Sequence, residues 1–293
     1  MVVSKYPSVV TLPDNQKFKL IIDFLEERFK PIKKKEWIWR IDEGLVLNSD
    51  MERITLESHY KSLEKIFYYK VVESEPEIPF KEKIVFEDKN FLIVCKPHFL
   101  PVIPSGNYLN ECLLYRLRTK TGNHDLSPVN RIDKDTAGLV MISKCVENRG
   151  IYQSLFMDRV VKKEYEAVVK IEKPVNNNKW KIESRIIKGE PFFRMKSVPG
   201  EINAITGIEV KATKENKAVL RLNPVTGKKH QLRVHLADAG LPIVNERFYP
   251  TLLPQLIDFE KPLQLISRKL SFKDPVTLKN CCFTSKRSLK EFW

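Results

Sequence analysis

The stretch Pro128-Val129-Asn130-Arg131-Ile132-Asp133-Lys134-Asp135-Thr136-Ala137-Gly138-Leu139-Val140-Met141 decides how the rest of the chain is read. Two carboxylates, an arginine, a threonine and a glycine fall close together, and apolar residues follow at once. Leu139–Ile142 is a short apolar run behind a glycine, the pattern of a buried strand. A polar cluster that feeds such a strand predicts a loop held rigid by the core, where proteins commonly place chemistry. On spacing alone a salt-bridged turn is an equal reading. Asp133 and Asp135 are then equivalent candidates, because period-2 spacing puts both on one side of an extended loop.

The whole chain narrows the choice. Its 293 residues suffice for one large domain and a small one. Lys and Arg number 51 against 37 Asp and Glu, a formal net charge of +14, which favours a polyanionic partner, nucleic acid before an anionic membrane surface. No apolar run has the length a bilayer needs, and Met1–Pro7 lacks the apolar core of a secretory signal, so cytoplasm is the expectation. Cys95, Cys112, Cys145, Cys281 and Cys282 form no C-x-x-C pair and predict neither a zinc site nor a disulfide framework. His230 and His235 are five apart, which does not place two metal ligands on one helix face, so no metal is expected.

Near the N-terminus, Phe18, Ile21, Ile22, Leu25 and Phe29 recur at helical spacing over residues 17–30, with Asp14 as the expected cap. Lys33-Lys34-Lys35 opens a second short helix that Gly44 can end. Leu45–Leu47 and Lys65–Val72 read as strands. The order resembles the small alpha-L RNA-binding module of the ribosomal-protein S-four type. On that resemblance Lys33, Lys34, Lys35 and Arg40 would contact phosphate; on the plainer reading they form a solvated face. Residues 76–82, within a Pro- and Glu-rich stretch, are expected to link this module (1–75) to a second domain (83–293).

That second part opens with a hairpin pattern, Ile84–Phe86 and Phe91–Cys95, then a Pro-rich loop and a helix face at Leu109, Cys112, Leu113 and Leu117. Beyond Met141 a helix is expected around 147–158. Strands are expected over Val160–Val169, Lys179–Ile187, Ile202–Ala212, Lys217–Leu222, Ser271–Phe272 and Val276–Phe283, with a helix over 228–239 that Gly240 can stop. Strands outnumber helices and several follow one another directly, so the fold class is α+β with a mostly antiparallel or mixed sheet.

Three segments now share one profile, polar groups on a turn or strand end beside apolar core: Asn130–Gly138, Lys163-Glu164-Tyr165-Glu166-Ala167 and Thr226-Gly227-Lys228-Lys229-His230-Gln231-Leu232-Arg233-Val234-His235-Leu236. Together they resemble the motifs of the RluA-type family of RNA pseudouridine synthases, and the likeness runs from about residue 81 to 290. It implies a pseudouridine synthase catalytic fold, behind a small α/β RNA-binding module. The implied reaction isomerises specific uridines to pseudouridine in structured RNA, ribosomal RNA ahead of tRNA, without cofactor. It also implies roles residue by residue. Asp133 would be the catalytic aspartate, Tyr165 the ring that stacks on the flipped uracil, and Arg233 the partner of the aspartate. Arg131, Thr136, Lys163, Lys228, Lys229, His230 and Gln231 would contact RNA, and a monomer is expected.

The sequence departs from the family pattern at Asn130, where His is common, at Ile132, at Ile103 and at Asn245-Glu246, where Gly-Asp is common. These departures leave the proposed catalytic groups in place and bear on which RNA is chosen. The alternative is a catalytically inactive RNA-binding or ribosome-assembly protein on the same fold. A DNA-binding protein is disfavoured, because the chain carries no helix-turn-helix or zinc pattern.

Overall fold

The structure is a computed structural model that describes all residues except 16, 173–177, 255–256, 291 and 293. The chain divides into two units, Met1–Pro76 with Ser105–Asn110, and Glu77–Pro104 with Glu111–Trp293.

In the first unit β1 (Val2–Val3), β2 (Ser8–Thr11), α1 (Ile21–Arg28), α2 (Lys34–Asp42), β3 (Val46–Leu47), β4 (Lys65–Tyr68) and β5 (Val71–Val72) follow in turn. Ile21, Ile22, Phe24 and Leu25 of α1 and Trp37 and Ile41 of α2 close over a three-stranded sheet in the order β2-β4-β3. The helix spacing seen in the sequence is the face that fills this core. The sequence reading places no strand at β1 or β2, and two further details differ from it. The cap of α1 is Leu20, with no side-chain hydrogen bond, rather than Asp14. The strand expected over Lys65–Val72 is broken into β4 and β5, and β5 leaves the three-stranded sheet to pair with β1. Residues 105–110 belong here as well, tied in part by Asn110, whose side chain accepts from the Lys5 amide and donates to the Val3 carbonyl.

The second unit is built on one mixed sheet. Its elements are β6 (Lys83–Glu87), β7 (Phe91–Lys96), α3 (Leu113–Thr121), β8 (Ser127–Pro128), β9 (Ala137–Ser143), α4 (Val146–Met157), β10 (Lys162–Lys170), β11 (Lys179–Lys188), β12 (Met195–Val198), β13 (Ala204–Lys214), β14 (Lys217–Pro224), α5 (Gln231–Asp238), β15 (Leu265–Lys273) and β16 (Asn280–Thr284). The strand order is β12-β11-β13-β14-β10-β15-β9-β7-β6, with β16 on β15 and β8 on β9. Every pairing is antiparallel except that of β15 with β9, so the sheet is α+β in the mostly antiparallel form the sequence predicts. The stretch 76–82, expected as a linker, is anchored. Arg116 donates to the carbonyls of Ile78 and Phe80, and Ile78 is buried. β12 was not foreseen, because Met195–Val198 shows no apolar alternation.

Alternation along the strands explains the layers. Ala167 and Val169 of β10 join Leu220 and Leu222 of β14 beneath Leu232 and Leu236 of α5. Val168, between them in sequence, faces the other side with Val219 and Ile266. β9 is buried along its whole length and lies inside the sheet, between β15 and β7.

One row across the sheet sets the site. Ser267 of β15 lies opposite Tyr165 on one side and Gly138 on the other. Gly138 has φ +109°, and a Cβ there would lie 2.2 Å from the Ser267 carbonyl oxygen. Only glycine lets β9 come this close to β15, and that approach brings the loop ahead of β9 to the end of β10. Among the described residues no helix is long and apolar enough to cross a membrane.

Candidate active site

The loop 130–136 is fastened from several directions. The Asn130 side chain accepts from the Met141 amide at 2.8 Å, and the Val129 amide donates to the Met141 carbonyl. The Thr136 amide donates to the Asp133 carbonyl at 3.2 Å, closing a turn around the aspartate. From behind, buried Lys96 donates to the carbonyls of Pro97, Leu100 and Lys134 at 2.9, 2.6 and 2.9 Å. That arrangement uses all three ammonium protons. Burial pushes Lys96 down to about 7, opposed by the nearby carboxylates of Asp135 and Asp133. His98 Nδ1 bonds the Asp135 carbonyl at 2.7 Å, and burial holds this imidazole down to about 4 and hence neutral. The Lys96–Pro97–His98 segment thus fixes the two peptide groups that follow Asp133.

The fixed loop, the end of β10 and the turn into α5 enclose a cleft of about 380 Å³. Asp133, Tyr165 and Arg233 all line it, as do Arg131, Thr136, Lys163, Lys228, His230 and Gln231. Asp133 Oδ2 is 3.4 Å from Arg233 Nη1 and 3.9 Å from His230 Nε2. Tyr165 is partly buried against the β10–β14 core, and burial, aided by the Asp133 charge, pushes its phenol up to about 12. A neutral ring beside a carboxylate is a surface on which a base can stack without charge repulsion.

Arg233 has a second and closer partner that sequence reasoning passed over. Its Nε and Nη2 donate to the two carboxylate oxygens of Glu246 at 2.7 and 2.6 Å, and both side chains are 2% exposed. Glu246 Oε1 also accepts from the amides of Arg247 and Phe248. The guanidinium lies 4.7 Å from the centre of the Phe248 ring, a cation–π contact. Burial works against the charge on Arg233, but the hydrogen bonds and charge of Glu246, with Asp133 and Asp135 behind them, hold its pKa above the usual arginine value. The only sequence signal for Glu246 was its standing where the resembled family has Gly-Asp.

A chain of hydrogen bonds fixes His230. The Met195 amide donates to the Tyr249 hydroxyl at 2.8 Å, and Tyr249 lies 2.7 Å from His230 Nδ1. With an amide already donating to it, the Tyr249 oxygen sends its own proton to Nδ1. Burial lowers the His230 pKa to about 4, against the pull of Asp133, so the ring is neutral and its remaining proton is on Nε2, the nitrogen that faces Asp133. His230 also has φ +55° and caps α5, which therefore begins at Gln231, later than the sequence reading.

The other expected contacts divide clearly. Gln231 is saturated: its oxygen accepts from the Thr226 hydroxyl and the Lys228 amide, and its amide donates to the Ile205 carbonyl and Thr206. It braces the turn and has no bond left for RNA, which corrects the sequence expectation. Lys163 donates to the Thr226 carbonyl, and burial and Arg159 lower its pKa. Thr136 is buried, and its hydroxyl makes no hydrogen bond within the protein. Arg131, Lys228 and Lys229 are exposed. In the first unit, Lys33 and Lys35 are exposed and Lys34 pairs with Asp23 and Glu26. Arg40 cannot serve as a phosphate contact. It is 4% exposed, bonded to Glu36 and packed on the Trp37 ring. Among the described residues no cluster of His, Cys, Asp or Glu could hold a metal ion.

A carboxylate, an arginine and a neutral aromatic ring thus meet in one cleft at the end of a mixed sheet. The family model described as RNA pseudouridylate synthase matches residues 90–238, which contain all three, and the chain belongs to that family of isomerases that convert uridine to pseudouridine in RNA. It is 24% identical over 237 residues to an uncharacterized RNA pseudouridine synthase of Synechocystis, covering 78% of this chain and 79% of the relative. It is 30% identical to the mitochondrial tRNA pseudouridine(32) synthase of Saccharomyces cerevisiae, covering 57% of this chain but 37% of that protein. Similarity to the ribosomal large subunit pseudouridine synthase C of Buchnera aphidicola is also 30%, over 59% of this chain and 55% of the relative. The structure of human RNA pseudouridylate synthase domain containing 4 superposes with a TM-score of 0.56 at 25% identity, covering 71% of this chain and 89% of that one.

Proposed function

We propose that this chain isomerises uridine in structured RNA with Asp133 as the catalytic carboxylate, Tyr165 as the stacking face for the extruded uracil and Arg233 as the cation that steadies Asp133. The supporting observation is convergence: a loop, a strand and a helix far apart in sequence bring these three side chains into one cleft, with Asp133 Oδ2 3.4 Å from Arg233 Nη1. The aspartate acts on the sugar or the base of the bound nucleotide, as nucleophile or as proton acceptor, and no cofactor enters the reaction. Arg131, Lys163, Lys228 and Lys229 hold the phosphates that offset the cost of unstacking the uridine.

The N-terminal unit, with exposed Lys33 and Lys35, adds RNA affinity in the manner of an alpha-L module. That module is our reason for placing ribosomal RNA ahead of tRNA, while relatives are named for each. Pseudouridine maps of cells with and without the gene test the proposal and name the target. A uridine should lose its modification on deletion, regain it with the wild-type gene and fail to regain it with Asp133→Ala. Full restoration by Asp133→Ala would refute the assignment. No lost site in any RNA would instead favour an inactive RNA-binding protein.

A further inference from the structure

The turn between β11 and β12, Gly189-Glu190-Pro191-Phe192-Phe193-Arg194, carries an aromatic ring in an unusual place. Phe192 is 85% exposed, the most exposed large apolar side chain among the described residues. Its ring contacts Phe193 at 5.6 Å, Phe193 contacts Phe248 at 5.4 Å, and Phe248 contacts His230 at 5.7 Å. A continuous run of rings therefore leads from solvent to the wall of the cleft.

The turn is held rather than loose. The Gly189 amide donates to the Arg194 carbonyl and the Arg194 amide to the Pro191 carbonyl. Arg194 donates to the Pro250 carbonyl and lies over the Tyr249 ring, while the Met195 amide bonds the Tyr249 hydroxyl. A ring held in a fixed position and joined through Phe193 and Phe248 to His230 of the cleft wall offers its flat face to a stacking partner. The surroundings select for anions. Lys179, Lys181, Arg185, Lys188 and Lys196 are exposed on the two strands, against Glu183 there and Glu190 in the turn.

We propose that Phe192 is a stacking platform for an unpaired base of the RNA that lies beside the uridine held in the cleft. The inference rests on the pseudouridine synthase reading and deepens it: the preferred RNA presents its target in a loop, bulge or single strand rather than within an uninterrupted duplex. Aromatic–base stacking is tolerant of sequence, so Phe192 adds affinity and selects for an unpaired neighbour without reading its identity.

The probe is a single-stranded RNA 15-mer of mixed sequence carrying one 2-aminopurine, with a fully paired duplex of the same length as control. Phe192→Ala should weaken binding of the single strand by about ten-fold or more and remove the 2-aminopurine quenching. Phe192→Trp should keep both, and Phe192→Leu should behave like Ala because it is apolar but has no π face. Duplex affinity should be the same for all four proteins. Unchanged single-strand affinity in Phe192→Ala overturns the proposal, as does retention by Phe192→Leu or an equal loss on the duplex. The binding readout does not depend on turnover, whereas full pseudouridine formation by Asp133→Ala would sink the catalytic reading alone.

Discussion

Glu246→Ala is the perturbation that most directly tests how the site is held. Glu246 takes two parallel hydrogen bonds from Arg233 at 2.6 and 2.7 Å and two more from the amides of Arg247 and Phe248. With both side chains 2% exposed, truncation leaves a buried guanidinium whose nearest remaining carboxylate is Asp133, 3.4 Å from the other nitrogen. Removing one partner of a buried pair costs about 3–5 kcal/mol, and the two freed amides push the value toward the upper end. At about 2–4 °C per kcal/mol, the melting temperature should fall by roughly 6–20 °C. Glu246→Gln, which keeps the shape and one acceptor oxygen, should fall by less. In both variants the freed arginine swings toward Asp133, so the single-turnover rate of pseudouridine formation should drop further than RNA affinity. Calorimetry and single-turnover assays on RNA from the deletion strain measure both quantities. An Ala variant melting within about 2 °C of wild type, or a Gln variant with an undiminished rate, would refute the reasoning.

Three further outcomes follow from the same geometry. Gly138→Ala sets a methyl 2.2 Å from the Ser267 carbonyl and should prevent β9 from pairing with β15, whereas Gly122→Ala, with φ +70° and open space around it, should cost only about 1–2 kcal/mol; urea midpoints separate the two. His98 and His230 are both held near 4, below the usual 6.5, so unfolded chains bind more protons between those values. Their contribution to stability is full above pH 6.5 and lost as pH falls through about 4, with a ceiling on the order of 3 kcal/mol for each; a His230→Gln variant should show a visibly shallower acid loss in that window, and an identical profile would count against it. In nitrogen-15 spectra, wild-type His230 should show a protonated Nε2 and bare Nδ1, and Tyr249→Phe should shift it toward a tautomer mixture; a wild-type Nδ1–H form would overturn the hydrogen-bond chain.

The parts of this molecule that were legible in the sequence are those set by local pattern. The apolar run behind Gly138 gave β9, and the helical spacing of Ile21, Ile22 and Leu25 gave the core face of α1. What escaped depends on contacts between distant residues. Asn110 joins the first unit because Val3 and Lys5 hold it, which no pattern near residue 110 announces. Arg40 looks like any basic residue until Trp37 and Glu36 enclose it. Gln231 sits in a motif rich in RNA-binding candidates, yet its four hydrogen bonds are all internal. Lys96 was visible only as part of a Lys-Pro loop, and its hold on the Lys134 carbonyl requires the fold.

The same distance dependence explains why the proposed catalytic group is left reactive. An arginine bound face to face by Asp133 would occupy both carboxylate oxygens. Here Glu246 has taken that geometry, at 2.6 and 2.7 Å, and leaves Asp133 one longer contact with Arg233, at 3.4 Å through Oδ2. Asp133 keeps about a quarter of its side chain exposed, and among the described residues no donor bonds its Oδ1. The Lys96 and His98 contacts act on the loop backbone rather than on the carboxylate itself. Orientation is thus supplied by the peptide groups of the loop and charge balance by a shared arginine, which leaves one oxygen of Asp133 facing the cleft where a uridine would sit. Glu246 makes this division possible because it meets Arg233 from a buried position.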